Sequence, residues 1–401
     1  MVTGFINKLK RNWQGPAIDV VIGGQTYTLG KGLPAGMQGT SRTELIVKNS
    51  AFLRRLPISP SLAFGEAYMN GGIEVQGDLM HILEGFHKSS DLLPNFAHVS
   101  MKVMTSLRIN GAKAAANARH HYDIGNDFYA LWLDKERTYS CAYFLNQDDD
   151  IDTAQQQKLE LICRKARLQA GNTLLDIGCG WGSLMFHAVK HHGVHATGIT
   201  PANEQADFIE ARARQEGLDD KIKVIRGDWR ELEGKYDRII SVGMFEHVGR
   251  RQYNQFFAKW RRLLKEDGVS FLHTIGRMDP STGNDPWVNR YIFPGGYLSS
   301  LSGIAAPIAD QDMVVSDIEN LWQHYDLTLQ RWLAGFENHR SEVRSMFDEE
   351  FVRMWRLYLT SSIAAFRWGG FQLWQFVILP EKSSVCPLNR EVNVKALLAR
   401  S

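Results

Sequence analysis

The spacing of apolar and polar residues predicts alternating strands and helices from about residue 172 onward. Short apolar runs ending in glycine or a charged residue alternate there with longer stretches in which apolar residues recur every three or four positions. The predicted strands are TLLDIG, HATGIT, KIKVIRGDW, YDRIISVGMF and VSFLHTIG, and the predicted helices are SLMFHAVKHH, NEQADFIEARARQEG and NQFFAKWRRLL, the last ended by Asp267 and Gly268. This alternation indicates a parallel sheet covered by helices.

A further helix is predicted just before this region, over residues 153–168. Leu159, Ile162 and Cys163 recur at helical spacing, so they are assigned to its inner face, and the Gln and Lys residues are assigned to the outer face.

The pattern after the fifth strand is less regular. LTLQRWL and FQLWQFVIL favour two more strands, and residues 342–368 between them favour a long helix. Residues 277–325 are too long for a simple connection, and the run YIFPGGYL inside them indicates a functional insertion or lid.

Residues 1–115 have the pattern of a separate module. IDVVIGGQTYTL and TELIVKN predict strands, and an apolar helix is expected near residues 79–87. Ahead of them, apolar residues at helical spacing among basic ones predict a short amphipathic helix, which either packs on its own domain or lies on a membrane surface; these apolar residues are Phe5, Ile6, Leu9 and Trp13. We therefore expect an α/β protein with a smaller α+β N-terminal domain, divided into residues 1–115 and 116–401.

Composition narrows the class of protein. With 44% hydrophobic and 22% charged residues and a net charge of +2, the chain is neither disordered nor a strongly basic nucleic-acid-binding protein. The small net charge hides an asymmetry, because residues 1–115 hold 12 Lys and Arg against 7 Asp and Glu, whereas the remainder holds 34 against 37. The surplus of cations in the N-terminal domain favours binding to an anionic bilayer.

The cysteines and the apolar segments indicate the compartment. Four cysteines are scattered without a CxxC pair, so we expect a reducing compartment and neither a disulfide framework nor a metal site. The N-terminus lacks the apolar stretch of a secretory signal, and no window approaches the roughly 20 apolar residues that span a bilayer. A cytoplasmic protein is predicted, associated peripherally with the inner face of the membrane.

A glycine-rich turn follows the first strand of the alternating region. Asp176, Gly178, Gly180 and Gly182 form the pattern DxGxGxG between a predicted strand and a predicted helix. Glycines at such a turn allow a sharp bend and the close approach of a ligand. The spacing differs from the GxGxxG of dinucleotide-binding folds and is typical of folds that bind S-adenosylmethionine.

Polar and aromatic residues at the ends of the other predicted strands belong to the same candidate site, because ligands bind at the carboxyl ends of parallel strands. Thr200, with Gln205 shortly after it, ends the second strand. Asp228 and Trp229 end the third, and an acid beside an aromatic ring suits an adenine. Glu246 follows the fourth strand. The fifth runs into His273 and Ile275. The sheet thus brings a carboxylate and an imidazole to the rim of the cofactor site.

Longer motifs resemble the cyclopropane-fatty-acyl-phospholipid synthases of bacteria. The resemblance runs in order from about residue 120 to 379 and rests on HHYDIGNDFYALWLD, TYSCAYF, LLDIGCGWGSL, GITPANEQ, SVGMFEHVG, LHTIG, DPWVNRYIFPGGYL, HYDLTL and FQLWQFV. FGEAYMNGGIEVQGDL extends it to the N-terminal domain, which the phospholipid-acting members of that family carry and the related cyclopropane mycolic acid synthases lack. Phospholipid acyl chains are therefore the expected substrate.

This resemblance implies a fold, a reaction and a set of residues. The fold would be the Rossmann-like class I methyltransferase fold with a seven-stranded, mostly parallel sheet, and members tend to be homodimers. S-adenosylmethionine would donate its methyl group to a cis double bond, and bound bicarbonate would remove a proton from the resulting cation to close a cyclopropane ring. The bicarbonate cage would comprise Cys141, Glu246, His273, Ile275 and Tyr325. Of these, Cys141 and Ile275 would contribute backbone N–H groups. The cofactor would bind Tyr139 and Ser140 as well as the glycine turn and the strand-end residues named above.

Three alternatives stay open. The same site yields methylene- or methyl-branched acyl chains if the cation loses a different proton. A methyltransferase acting on a soluble acceptor is disfavoured, since it leaves the basic N-terminal domain without a role. A lipid-binding protein on a methyltransferase scaffold is disfavoured by the intact glycine turn and by the presence of Glu246, His273 and Tyr325 together.

Overall fold

The computed structural model describes residues 2–30, 42–89, 124–278, 284–383 and 385. The chain forms two compact units that are not consecutive stretches of sequence. The first unit comprises residues 1–108, 281–292 and 332–371, and the second comprises residues 109–280, 293–331 and 372–401. Two later segments therefore belong to the same unit as the N-terminal module, and the division at residue 115 stays a prediction.

The second unit is built on a large sheet whose strands follow the order β7-β6-β5-β8-β9-β12-β11. Neighbours from β7 to β9 are parallel, β11 is antiparallel to β12, and a short strand, β10, pairs with β9. The mostly parallel arrangement and the path of seven strands are as expected, and β10 makes the sheet eight-stranded. The strands are β5 (Thr173–Ile177), β6 (His195–Thr200), β7 (Ile222–Arg226), β8 (Tyr236–Val242), β9 (Leu264–Arg277), β10 (Ser299–Ser300), β11 (Met313–Asn320) and β12 (Phe371–Pro380).

Helices flank this sheet and bury apolar residues in two clusters against it. The sequence pattern predicts four of these helices: α5 (Ile151–Lys165), α6 (Ser183–His192), α7 (Asn203–Gln215) and α8 (Tyr253–Leu263). It does not predict a later helix, α10 (Leu301–Ala309). A short helix, α4 (Asn126–Ala130), precedes them. Helix α8 ends at Leu263, and β9 continues through Asp267 and Gly268, so this pair lies within a strand and does not end the helix as predicted.

The predicted orientation of α5 is half correct. Leu159, Ile162 and Cys163 are buried as expected. The outward assignment of Gln and Lys is wrong for Gln155, Lys158 and Lys165, which are also buried. Both ammonium groups have polar partners inside the protein, and these partners offset much of the cost of burying a charge.

The prediction of a strand at LTLQRWL is also wrong, because this segment lies within helix α11 (Trp322–Asn338). Leu329, Trp332 and Phe336 recur every three or four positions and are buried, which is the periodicity of a helix. The strand on the outer side of β12 is instead β11, which lies inside the segment predicted as a lid. Much of that segment therefore forms regular structure, including an edge strand of the sheet.

The first unit contains a smaller sheet with the order β2-β1-β3-β4. The strands are β1 (Ile18–Ile22), β2 (Gln25–Leu29), β3 (Thr43–Val47) and β4 (Ile73–Gln76), and the helices are α1 (Val2–Asn12), α2 (Pro60–Met69), α3 (Leu79–Lys88), α9 (Pro286–Tyr291), α12 (Arg340–Met346) and α13 (Glu349–Trp368). Helix α13 packs on α2 and α3. The long helix predicted over residues 342–368 is interrupted before Asp348, whose carboxylate caps α13 by accepting from the Phe351 N–H.

Helix α1 packs within its own unit. Ile6 and Leu9 are buried, and Trp13 lies so close to Gly85 that a β-carbon there would be 1.8 Å from the indole ring. The apolar face of α1 is thus occupied, which favours the packed alternative over a membrane-bound helix. No helix within the described residues is long and apolar enough to cross a membrane.

Candidate active site

The glycine turn joins β5 to α6 in the second unit. Gly178, Gly180 and Gly182 have φ angles of +84°, +54° and +83°, a region in which other residues are strained. A β-carbon on Gly178 would lie 2.6 Å from Cβ of Met244, whereas one on Gly182 would press on Ile209 of α7 at 3.0 Å. The glycines thus let this turn approach Met244 on one side and α7 on the other.

A cleft with an empty volume of about 1170 Å³, including space open to solvent, lies at the carboxyl ends of the strands. Nine of the ten residues predicted to bind the cofactor line it: Tyr139, Ser140, Asp176, Gly178, Gly180, Thr200, Gln205, Asp228 and Trp229. Gly182 is the tenth and lies outside the lining, as the N-cap of α6. His247, which follows Glu246 after the fourth predicted strand, also lines the cleft.

Two pairs of side chains at strand ends give the cleft directional polar groups. The Thr200 hydroxyl donates to Oε1 of Gln205 at 2.8 Å, and the buried Nε2 of Gln205 has no partner among the described residues. Asp228 accepts from the backbone N–H and the guanidinium of Arg230, which also lies over the Trp229 ring. The lining therefore offers an amide donor, a carboxylate and an aromatic ring, which suits the polar and aromatic parts of S-adenosylmethionine.

Lys158 is a buried cation of the cleft that the sequence analysis missed. Its Nζ donates to the Ser140 hydroxyl at 3.0 Å. Burial lowers the pKa of Lys158 to about 8 and raises the pKa of Asp176 to about 7. Lys158 lies four residues after Ala154 and four before Ile162, so helical spacing places it on the inner face even though its charge favoured the outer one.

Glu246 lies in the turn that follows β8, where a backbone N–H holds its carboxylate. Its Oε1 accepts a 2.6 Å hydrogen bond from the Ile275 N–H, and its buried Oε2 has no partner among the described residues. Burial raises the pKa of Glu246 to about 7. The Ile275 N–H thus holds the carboxylate of Glu246, and its predicted contact with bicarbonate stays a prediction.

His273 is oriented by a chain of buried hydrogen bonds. Lys165 donates to Oε1 of Gln375 at 2.6 Å, so the amide nitrogen of Gln375 is the atom that faces Nδ1 of His273 at 3.2 Å. An amide N–H donates, which makes Nδ1 the acceptor and leaves the proton of the neutral ring on Nε2. Burial lowers the pKa of His273, so the neutral form is favoured, and Nε2 has no partner among the described residues.

Cys141 is fully buried, and the Thr328 hydroxyl lies 3.9 Å from its sulfur. Burial raises the pKa of the thiol well above its usual value, so Cys141 is not a nucleophile at neutral pH. Tyr325, the remaining predicted cage residue, is half-buried on α11, one turn before Thr328. The predicted roles of the Cys141 backbone and of Tyr325 stay predictions.

Known proteins resemble both the sequence and the fold. The family model for mycolic acid cyclopropane synthetase matches residues 110–376, and a domain of unknown function matches residues 24–95. The chain is 37% identical to the cyclopropane-fatty-acyl-phospholipid synthase of Escherichia coli strain K12 over 85% of this chain and 89% of that protein. It is 35% identical to cyclopropane mycolic acid synthase 1 of Mycobacterium tuberculosis strain H37Rv, over 65% of this chain and 96% of that protein.

Solved structures agree with the fold. A mycolic acid cyclopropane synthase, CmaA1, in complex with SAH and CTAB is 34% identical with a TM-score of 0.63, covering 66% of this chain and 97% of that one. Coclaurine N-methyltransferase has a TM-score of 0.67 over 80% of this chain and 100% of its own at 20% identity, a likeness of fold alone. The expected class I methyltransferase fold is confirmed, and the chain belongs to the mycolic acid cyclopropane synthetase family as an S-adenosylmethionine-dependent methyltransferase.

Proposed function

We propose that this enzyme transfers a methylene group from S-adenosylmethionine to the cis double bond of unsaturated phospholipid acyl chains and so forms a cyclopropane ring. The observation that carries the proposal is a pair of buried atoms without partners among the described residues: Oε2 of Glu246, in the turn after β8, and Nε2 of His273, inside β9 and paired in register with the last residue of β8. Both residues adjoin the cofactor cleft. His247, the neighbour of Glu246, lines the cleft, and so does Gly243, whose N–H donates to the backbone oxygen of His273 at 2.9 Å. The E. coli relative supports phospholipids as the substrate class.

The polarity of these two atoms fits bicarbonate. Nε2–H of His273 is a donor for an anionic oxygen, and Oε2 of an ionised Glu246 is an acceptor for the O–H that bicarbonate carries. Bicarbonate bound there would supply a base, and S-adenosylmethionine in the cleft would supply an electrophilic methyl group. The residues of this chain would hold the bicarbonate and orient it. The Ile275 N–H fixes the carboxylate of Glu246. Gln375 fixes the ring of His273 with its proton on Nε2, the nitrogen that meets no partner within the described segments.

The product decides the proposal. We expect purified protein, incubated with S-adenosylmethionine and vesicles of unsaturated phospholipid, to yield acyl chains with upfield cyclopropane protons in the proton NMR spectrum. Vesicles of saturated phospholipid are the control and should remain unchanged. Methylene- or methyl-branched chains carry the same added mass but lack the upfield signals, so their appearance would establish the alternative reaction. Methylation of neither lipid would contradict the proposal.

We further propose that the protein acts at the surface of the inner membrane and as a homodimer. The first unit provides support for surface binding, since Ile58 is 75% exposed and lies in a sequence that also exposes Arg54 and Pro57. An exposed apolar side chain near cations is suited to an anionic bilayer. The homodimer is inferred from the family resemblance alone. Light scattering coupled to gel filtration measures the oligomeric state directly.

Binding to vesicles should therefore depend on salt and on these side chains. We expect the fraction of protein that sediments with anionic vesicles to fall as salt rises, because salt screens the attraction between charges. The fraction should also fall several-fold in Arg54→Glu, which removes a cation that contributes roughly 1 kcal/mol, and in Ile58→Asp, which replaces an exposed apolar side chain by an anion. Glu233→Gln, an exposed carboxyl of the second unit, is the control and should bind like wild type. Binding that ignores both salt and the two substitutions would refute this surface assignment.

A further inference from the structure

A second group of reactive side chains lies outside the lining of the cofactor cleft, where α5 packs against α6. Cys163 on α5 and His187 and His192 on α6 each place a potential ligand atom within 4.8 Å of the other two. Glu160, one turn before Cys163, adds a carboxylate whose Oε2 lies 3.1 Å from Nε2 of both histidines. None of the four lines the cofactor cleft.

We propose that Glu160, Cys163, His187 and His192 form a zinc site that links α5 to α6. Thiolate sulfur, imidazole nitrogen and carboxylate oxygen are the ligands that zinc takes in tetrahedral sites. With bonds of about 2.0–2.3 Å, neighbouring ligand atoms in such a site are roughly 3.3–3.7 Å apart. The 3.1 Å separations around Glu160 are close to this value. The ligand atoms of Cys163, His187 and His192 lie within 4.8 Å of one another, so coordination requires them to approach by up to about 1 Å.

The neighbours of the ligands are arranged as in metal sites. Nδ1 of His187 lies 3.3 Å from Oε1 of Gln156, which accepts the ring proton when Nε2 carries the metal. Arg164 donates to Oε1 of Glu160 at 2.6 Å and thereby leaves Oε2 for the metal. A second shell that fixes the tautomer of a ligating histidine and orients a ligating carboxylate is a regular feature of zinc sites.

Charge and access also suit a divalent cation. A thiolate and a carboxylate together neutralise Zn²⁺, which a partly buried site requires. Without metal, burial keeps the pKa of the Cys163 thiol well above its usual value, so zinc binding releases that proton. The side chains of His187 and His192 are 9% and 16% exposed, which provides a route for the ion. The ligands come from two helices, so no local CxxC spacing indicated them.

Zinc binding by the full chain without a histidine tag tests the site. After dialysis against a chelator, we expect the protein to bind one Zn²⁺ per chain in competition with a chromophoric chelator. His192→Gln, which can still donate to Glu160, should lower the zinc affinity at least tenfold, and Cys163→Ala should do the same. His195→Gln is the matched control, because His195 is exposed at the start of β6 in the same unit. It should bind zinc like wild type.

Cobalt separates this site from adventitious binding to surface histidines. Co²⁺ in the site should show a thiolate-to-metal charge-transfer band that is absent in Cys163→Ala. Cobalt binding without that band in wild type, or zinc affinity unchanged in both ligand variants, would overturn the proposal. Both readouts are independent of lipid methylation, so the zinc site can fail while the proposed function stands, and the reverse.

Discussion

Replacing Glu246 by Gln is expected to lower turnover roughly 100-fold or more while the affinity for S-adenosylmethionine changes little. The amide oxygen of Gln can accept the Ile275 N–H as the carboxylate does, so the local backbone should keep its position. The other atom changes from an acceptor to an N–H donor at the position of Oε2, which has no partner in the part of the chain that the structure describes. The substitution would thus remove the acceptor for the O–H of a bound ligand without changing the size of the side chain.

Turnover and cofactor affinity are to be measured separately, the first with labelled S-adenosylmethionine and unsaturated vesicles and the second by calorimetry. Glu233→Gln serves as the matched exposed control and should retain wild-type turnover. If turnover of Glu246→Gln stays within threefold of wild type, the assignment of a base site to Glu246 is wrong. A parallel loss of cofactor affinity would instead place Glu246 in cofactor binding.

The pH profile provides an independent readout of the same residue. Burial raises the pKa of Glu246 to about 7, and only the ionised carboxylate accepts from a ligand with Oε2 while Oε1 holds the Ile275 N–H. Turnover of wild type should therefore rise with pH through about 7 as the carboxylate loses its proton. Glu246→Gln has no such group, so its residual turnover should lack this rising limb. An unchanged limb in the variant would assign it to another group, such as Asp176.

The sequence contained enough information for the cofactor cleft, because its residues follow strands with clear patterns. An apolar run followed by glycines predicts where a strand ends, and parallel strands place their carboxyl ends at one edge. Thr200, Asp228 and Trp229 could be brought together in this way without any knowledge of side-chain contacts. The motif alone places Gly182 in the cleft, and only the structure shows that it lets the start of α6 approach Ile209 of α7.

The features that sequence reasoning missed depend on partners distant in the chain. Lys165 is 210 residues from Gln375, and a lysine without a known partner is assigned to a solvated surface. The segment LTLQRWL alternates apolar and polar residues over only a few positions, so strand and helix periods cannot be distinguished there. Tertiary packing decides the outcome, as Trp332 and Phe336 bury one face of α11.

Gly178→Ala is expected to reduce the affinity for S-adenosylmethionine at least tenfold and to destabilise the fold by more than its backbone strain alone. The added β-carbon would lie 2.6 Å from both Cβ and Cγ of Met244, which lines the cleft, so this wall of the cleft must move. A φ of +84° adds a strain of about 1–2 kcal/mol for any residue with a β-carbon. Calorimetry measures the affinity, and denaturant unfolding measures the free energy of unfolding.

Gly171 provides the control that separates strain from the clash. Its φ is +83°, a β-carbon there meets no atom of the described residues within 4 Å, and it lies outside the lining of the cleft. Gly171→Ala should therefore lose about 1–2 kcal/mol of stability and bind the cofactor normally. Adding Met244→Gly to Gly178→Ala removes both clashing atoms and should restore part of the affinity. Wild-type affinity in Gly178→Ala, or equal affinity losses in the two alanine variants, would show that close approach of the turn to Met244 does not shape the cofactor site.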